Sequence, residues 1–202
     1  AWAFSSGPAN AGADRTGGPA SSGTCATCHG GGSGTTTATI RLLDAMSMPV
    51  TEVETGETYT VELAVTNSSY SLFGGQLTAV DATNANSGTL NTTPITTNTR
   101  VSSISSRTYL EHSARSSTGV FQTEWTAPAS TGTVTFYGVG LGVNGSGTGG
   151  DQPSTSSTLM LNVVAPCVAD TDSDGICNDM DPDDDNDGVA DGEDTEPIEP
   201  TV

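Results

Sequence analysis

Thr58-Tyr59-Thr60-Val61-Glu62-Leu63-Ala64-Val65-Thr66-Asn67 alternates strictly, with Tyr59, Val61, Leu63 and Val65 on one face. Successive side chains of a strand point to opposite sides, so this period of two predicts a half-buried β-strand. Outward from it, residues 37–43 repeat the pattern, with Ala38, Ile40 and Leu42 together. Further strands are expected at 75–80, 107–111, 119–125, 133–141 and 158–164. Turn clusters separate them: Glu54-Thr55-Gly56, Asn84-Ala85-Asn86, Ala127-Pro128-Ala129 and a loose glycine-rich passage over 145–150. No segment keeps a helical period beyond two turns. About seven short strands at this spacing predict an all-β, immunoglobulin-like sandwich over 35–165, with Trp125 and Phe136 in its core.

Two segments of different composition flank that body. Residues 1–34 are small, rich in Gly and Pro, and end in Gly30-Gly31-Gly32-Ser33-Gly34. Such a segment lacks the apolar content to fold alone and is expected to be an irregular arm that orders only against a large apolar partner. After Pro166, residues 166–202 turn to Asp, Asn and Gly, and the last 33 residues carry 14 of the 24 acids. The formal net charge of -19, with no Lys and only Arg15, Arg41, Arg100, Arg107 and Arg115 as cations, excludes nucleic acid and an anionic membrane surface as partners. No apolar run approaches the roughly 20 residues of a membrane span. The Lys-poor, Thr/Ser/Gly-rich body and a start at Ala1-Trp2-Ala3 without Met suit a secreted protein whose signal peptide has been removed. Asn67-Ser68-Ser69, Asn91-Thr92-Thr93 and Asn144-Gly145-Ser146 are glycosylation sequons.

The arm carries Cys25-Ala26-Thr27-Cys28-His29, the spacing of covalent c-type haem attachment. Two thiols three positions apart each bond one porphyrin vinyl group, and the adjacent imidazole reaches the iron. A redox or disulfide pair is the competing reading, but thioredoxin-like CxxC pairs open a helix after a strand, and this one sits in a glycine-rich loop. One covalent haem c is therefore expected, with His29 as proximal ligand. His112 is the only other histidine and the candidate distal ligand. Met46, Met48, Met160 and Met180 compete for that place; Met46 and Met48 fall in a loop, whereas Met160, between Leu159 and Leu161, is expected to pack in or on the sheet. Two strong axial ligands leave no open position, which favours electron transfer over oxygen chemistry. No nucleophile with its base, phosphate loop or carboxylate pair stands outside the tail, so an enzyme is not expected.

Asp170-Thr171-Asp172-Ser173-Asp174-Gly175 recurs 13 residues later as Asp183-Asp184-Asp185-Asn186-Asp187-Gly188. Each copy offers oxygens at loop positions 1, 3 and 5, a turn glycine at 6, a backbone carbonyl at 7 (Ile176, Val189), an amide or acid at 9 (Asn178, Asp191) and an acid at 12 (Asp181, Asp194). A hard cation collects six to eight oxygens in this way, so two or more calcium ions are expected. Asp at position 12 and the lack of flanking helices argue against an EF-hand pair, and the segment resembles thrombospondin type 3 repeats. Cys167 and Cys177 bracket the first loop and are expected to form a disulfide in an oxidising compartment.

Arg15-Thr16-Gly17 ahead of the CxxCH stretch, then Gly74-Gly75-Gln76-Leu77-Thr78-Ala79, His112, Gln122-Thr123-Glu124-Trp125-Thr126-Ala127-Pro128 and Gly132-Thr133-Val134-Thr135-Phe136-Tyr137 resemble bacterial secreted reelin-like, choice-of-anchor domains. The resemblance spans about residues 8–165 and implies a secreted sandwich with an N-terminal CxxCH arm and a variable C-terminal attachment device. Taken together, the sequence predicts an extracellular or cell-surface single-haem cytochrome for electron transfer. Arm and tail, at opposite ends of the chain, would each dock on the next copy to form a head-to-tail, calcium-stabilised filament. The alternative is a calcium-dependent structural or adhesion fibre in which haem is a staple or absent.

Overall fold

The computed structural model describes residues 5–174 and 176–199, so Gly175 of the first acidic loop and the N-terminal Ala1-Trp2-Ala3 lie outside the described residues. The chain divides into two units, residues 1–164 and 165–202.

The first unit is built from two sheets. β1 (Gly30–Gly31), β2 (Thr36–Leu43), β3 (Glu52–Glu54), β4 (Thr58–Asn67), β5 (Phe73–Asp81) and β6 (Thr89–Leu90) are followed by β7 (Thr99–Ile104), β8 (Arg107–His112), β9 (Val120–Thr126), β10 (Gly132–Gly142), β11 (Gly149–Pro153) and β12 (Ser157–Val164). The smaller sheet runs β2-β4-β9-β6, and the larger runs β1-β11-β10-β5-β8-β7, with β12 beside β10 and β3 beside β12. All seven strands expected from alternation are present. β1, β3, β6, β7 and β11 were not foreseen, being short or lacking a clean apolar face.

Between the sheets lie Ile40, Leu42, Val61, Leu63, Val65, Leu77, Leu110, Phe121, Trp125, Val134 and Phe136, all buried. Trp125 meets the Phe136 ring edge-on at 5.1 Å, and its indole N–H donates to the Ser87 carbonyl at 3.0 Å. Burying each such side chain stabilises the fold by roughly 1.5–3 kcal/mol. The fold is an all-β sandwich, as the alternation predicts.

Gly138 and Gly140 fall within the strand expected at 133–141, and β10 runs on through Gly142. A Cβ on Gly140 would stand 2.6 Å from Val65 Cγ1, so these glycines let the facing sheet approach closely. Met160 lies on the sheet, in β12 opposite Thr135, with 66% of its surface exposed.

The larger sheet is covered on its outer face as well. β5 is buried at every position from Phe73 to Val80, because the N-terminal arm lies across it. The arm was expected to need an apolar partner for order. Instead, polar side chains projecting from β5 and β8 hold it. The fully buried Glu111 accepts from the amides of Ala9 (2.6 Å) and Asn10 (2.9 Å). Gln76 accepts from the Arg15 amide at 2.6 Å and donates to the Ala13 carbonyl at 3.2 Å. Asp14 accepts from the Tyr109 hydroxyl at 3.0 Å and pairs with Arg107 at 3.5 Å. The arm thus docks on its own chain's sheet.

The second unit is two acidic loops, the first of them bracketed by the Cys167–Cys177 disulfide, whose Cα atoms are 5.5 Å apart. Among the described residues no helix is long and apolar enough to cross a membrane.

Candidate functional site

One end of the larger sheet carries the chemistry. Here the arm makes a short 3-10 turn, Cys25–Thr27, which Thr24 caps by accepting from the Ala26 amide at 3.3 Å. The His29 amide then closes onto the Cys25 carbonyl at 3.0 Å. This turn lays the CxxCH stretch over β10 and β11, where Cys25 packs with Val139, Leu141 and Val143. The result is a cleft of about 340 Å³ lined by Cys25, Cys28, His29, His112, Phe73 and Leu141 among others. Residues 87 positions apart in sequence are thereby brought to one hollow. Among the described residues of the first unit, Met46, Met48 and Met160 do not line it.

Both imidazoles are held through Nδ1. His29 Nδ1 lies 2.8 Å from Asp151 Oδ2, with Asp151 itself 1% exposed. The β5–β8 ladder stops at Gln76↔Glu111. The His112 ring occupies the next rung, its Nδ1 3.1 Å from the Gly75 carbonyl oxygen and 3.2 Å from the Gly75 amide nitrogen. Gly74 makes room, since a Cβ there would already stand 3.2 Å from the ring. The strands bearing Asp151 and His112 are separated by β10 and β5. Three strand spacings amount to roughly 14 Å, enough for a planar group between two imidazoles.

The two thiols are unbridged and differ. Burial pushes the Cys25 thiol up to about 12, with the Arg15 charge acting the other way, whereas Cys28 is half-buried. A haem is the group whose attachment this donor set fits. Two thiols and an imidazole stand on one short turn, and a second imidazole faces the same apolar hollow. Histidines that bind metal ordinarily hand their other ring nitrogen to a carboxylate or carbonyl, and each Nδ1 here lies within hydrogen-bond distance of one, Asp151 for His29 and Gly75 for His112. Cys25, Cys28, His29 and His112 would hold it. Asp151, Gly74 and Gly75 were missed from sequence: Asp151 sits in a Gly-rich stretch without any motif, and the glycine pair was noted only within the reelin-like resemblance.

In the tail, carboxylate oxygens of Asp170, Asp172 and Asp174 cluster within 4.8 Å of one another, as do those of Asp183, Asp185 and Asp187. The two loops repeat each other in their bracing. The Thr171 amide donates to Asn178 at 2.9 Å, and 13 residues on the Asp184 amide donates to Asp191 at 2.9 Å. The Asn178 side-chain amide also donates to the Thr171 hydroxyl, so both its polar ends brace the loop. Asn186 donates to Asp172 across the two loops. In the second loop, Asp183 Oδ1, Asp185 Oδ2 and Asp194 Oδ2 are buried and accept no hydrogen bond. These are positions 1, 3 and 12, and buried carboxylate oxygens left in this way are costly unless a cation takes them. Burial raises the Asp184 and Asp185 carboxyls above the usual range, and neighbouring acids add to it. Asp181 lies between the loops, accepting from the Asp183 amide at 3.0 Å. Ile176 and Val189 follow their clusters, each amide donating to the aspartate two residues before it. The side-chain amides of all three sequon asparagines are already hydrogen-bonded, Asn67 to Ser33 and Thr36, Asn91 to Glu124, Asn144 to Gly149.

The sandwich is similar in fold to the Reelin-N domain of F-spondin, at 17% identity and a TM-score of 0.48, over 70% of this chain and 95% of that one. It is also similar to the human F-spondin reeler domain, at 19% identity and a TM-score of 0.44, over 67% of this chain and 94% of that one. No protein-family model matches the chain, and no curated protein is significantly similar to it in sequence.

Proposed function

We propose that this chain is an extracellular single-haem c-type cytochrome that works in electron transfer. The observation that carries the reading is the convergence of Cys25, Cys28, His29 and His112 on one apolar cleft, with both imidazoles anchored through Nδ1. When bound, haem would supply a one-electron iron couple. The chain's own part is to offer two thiols for thioether bonds, to fix two imidazoles and to keep water from the hollow with Phe73, Leu141 and Val143. Two imidazole ligands would leave the iron no open position, hence electron transfer rather than substrate turnover. The Cys167–Cys177 disulfide supports an oxidising compartment.

Calcium is proposed for the two acidic loops, on the unpartnered buried oxygens of Asp183, Asp185 and Asp194. The thrombospondin type 3-like reading of that segment rests on the same loops. Head-to-tail self-assembly into a filament belongs to the proposal through the tail, since the arm is occupied on its own sheet. A structural fibre, with haem as a staple or absent, is the second reading. The polar anchoring of the arm by Glu111 and Gln76 favours it, because that anchoring uses no cofactor.

The test is the intact mass and the oxidised and reduced visible spectra of protein made in a host with working cytochrome maturation. A mass increment of one haem, reduced c-type bands and no carbon monoxide adduct are expected. A mass equal to the bare polypeptide refutes the cytochrome. Rapid carbon monoxide binding would refute the second imidazole.

A further inference from the structure

We infer that Asp151 sets the electron density on His29 and, through it, the reduction potential of the haem. This rests on the haem reading above and extends it to a residue outside the attachment motif.

The His112 Nδ1 lies against the main chain of Gly75, 3.1 Å from its carbonyl oxygen and 3.2 Å from its amide nitrogen. His29 Nδ1 meets a carboxylate at 2.8 Å. Asp151 is 1% exposed and clamped at several points. Its Oδ2 faces His29, and its Oδ1 accepts from the Asn144 amide at 2.8 Å. Its carbonyl accepts from the Gly32 amide at 3.1 Å, three residues past His29. A Cβ on Gly32 would stand 2.5 Å from the Asp151 carbonyl carbon, so the chain can pass this close only as glycine. Among the described residues, His29 is the one ion-pair partner of Asp151.

The consequence is electrostatic. A dry carboxylate fixed on Nδ1–H keeps the proton on that nitrogen and the lone pair on Nε2, and it raises the basicity of Nε2 as a ligand. Negative charge close to the iron through a low-dielectric path favours the ferric state, which carries one more positive charge, over the ferrous. The carboxylate therefore lowers the potential. Asp151 is a positioning residue, acting through His29 without touching the iron.

The experiment is a spectroelectrochemical titration of the haem-loaded full chain. Asp151→Asn keeps the shape and an acceptor oxygen but removes the charge. It is expected to raise the ferrous-to-ferric ratio at fixed potential at least tenfold, about 59 mV for a one-electron couple, with the low-spin spectrum retained. Glu124→Gln, an exposed carboxylate on the smaller sheet, is the control and should change the ratio less than about twofold. A haem-loaded Asp151→Asn variant within twofold of the parent, or shifts of equal size in both variants, overturns the inference and leaves the cytochrome reading standing. A chain that carries no covalent haem overturns the reading itself. The unsubstituted ferrous protein gives a second readout. Its His29 Nδ1 proton should resonate downfield, in the range of a hydrogen bond to a carboxylate, and should move upfield in Asp151→Asn; a resonance that does not move overturns the inference.

Discussion

Glu111→Gln should loosen the arm without touching the core of the sandwich. Glu111 is 0% exposed and spends both oxygens on the arm, accepting from the Ala9 amide at 2.6 Å and the Asn10 amide at 2.9 Å. Gln76 donates to it as well, at 3.3 Å. Glutamine keeps the volume but offers one acceptor where the carboxylate offers two, so one main-chain N–H must face an NH2 donor. Hydrogen bonds to a charged group contribute roughly 1.5–3 kcal/mol, and a buried donor left unpaired costs about 1–3 kcal/mol. Ala9 is 3% exposed, so its amide has no ready route to water. The expected loss is about 3 kcal/mol. If arm and sandwich melt together, the midpoint falls by roughly 6–12 °C, at about 2–4 °C per kcal/mol for a unit of this size. Thermal unfolding by circular dichroism, with limited proteolysis mapped over residues 5–24, reads both effects. Gly7→Ala should act in the same direction, because its Cβ would press on the Glu111 carboxyl and stand 2.7 Å from the His112 carbonyl. The exposed Glu124, bonded to Asn91 at 2.8 Å, should tolerate Gln within about 0.5 kcal/mol. A Glu111→Gln protein that melts within about 2 °C of the parent and resists protease equally would refute the anchoring argument.

Three further outcomes can be checked directly. In chain made without haem, Cys25 should react with iodoacetamide at pH 8 far more slowly than an ordinary thiol. With its thiol pushed up to about 12 by burial, its thiolate population is roughly three orders of magnitude below that of a free cysteine, and peptide mapping would show label on Cys28 first. In the tail, the raised carboxyls of Asp184 and Asp185 favour their protonated forms. Their contribution to the calcium-free tail is therefore present at low pH and lost as pH rises through the raised values. Calcium should take the protons' place, so titrating it in at mildly acidic pH should release protons, and Asp185→Asn should bind calcium at least tenfold more weakly; calorimetry in two buffers of different ionisation enthalpy measures both. Trp125→Phe removes the indole bond to Ser87 and part of the ring packed on Phe136. It should cost about 2–3 kcal/mol in denaturant unfolding, with the unfolding slope unchanged.

The sandwich was legible because its signal is local. Val61, Leu63 and Val65 face the core for the reason that made them visible in a list, since a strand's side chains alternate whatever the strand pairs with. The CxxCH turn and the 13-residue acidic repeat were legible for a similar reason, each being a cluster of ligand types at a spacing set by local backbone. Glycines gave the least away. In β10 they are points where the sheets close on one another, and the lack of a Cβ tells loop from contact only once the facing residue, Val65 for Gly140, is known.

What the linear chain determined, then, was the strand pattern, the two thiols beside an imidazole and the loops of carboxylates. Tertiary structure alone decided that His112 shares the hollow with His29, that Asp151 grips one imidazole and Gly75 the other, and that a buried glutamate ties the arm down. These contacts join positions 37 to 122 residues apart, and only the strand order β11-β10-β5-β8 brings them to one end of one sheet.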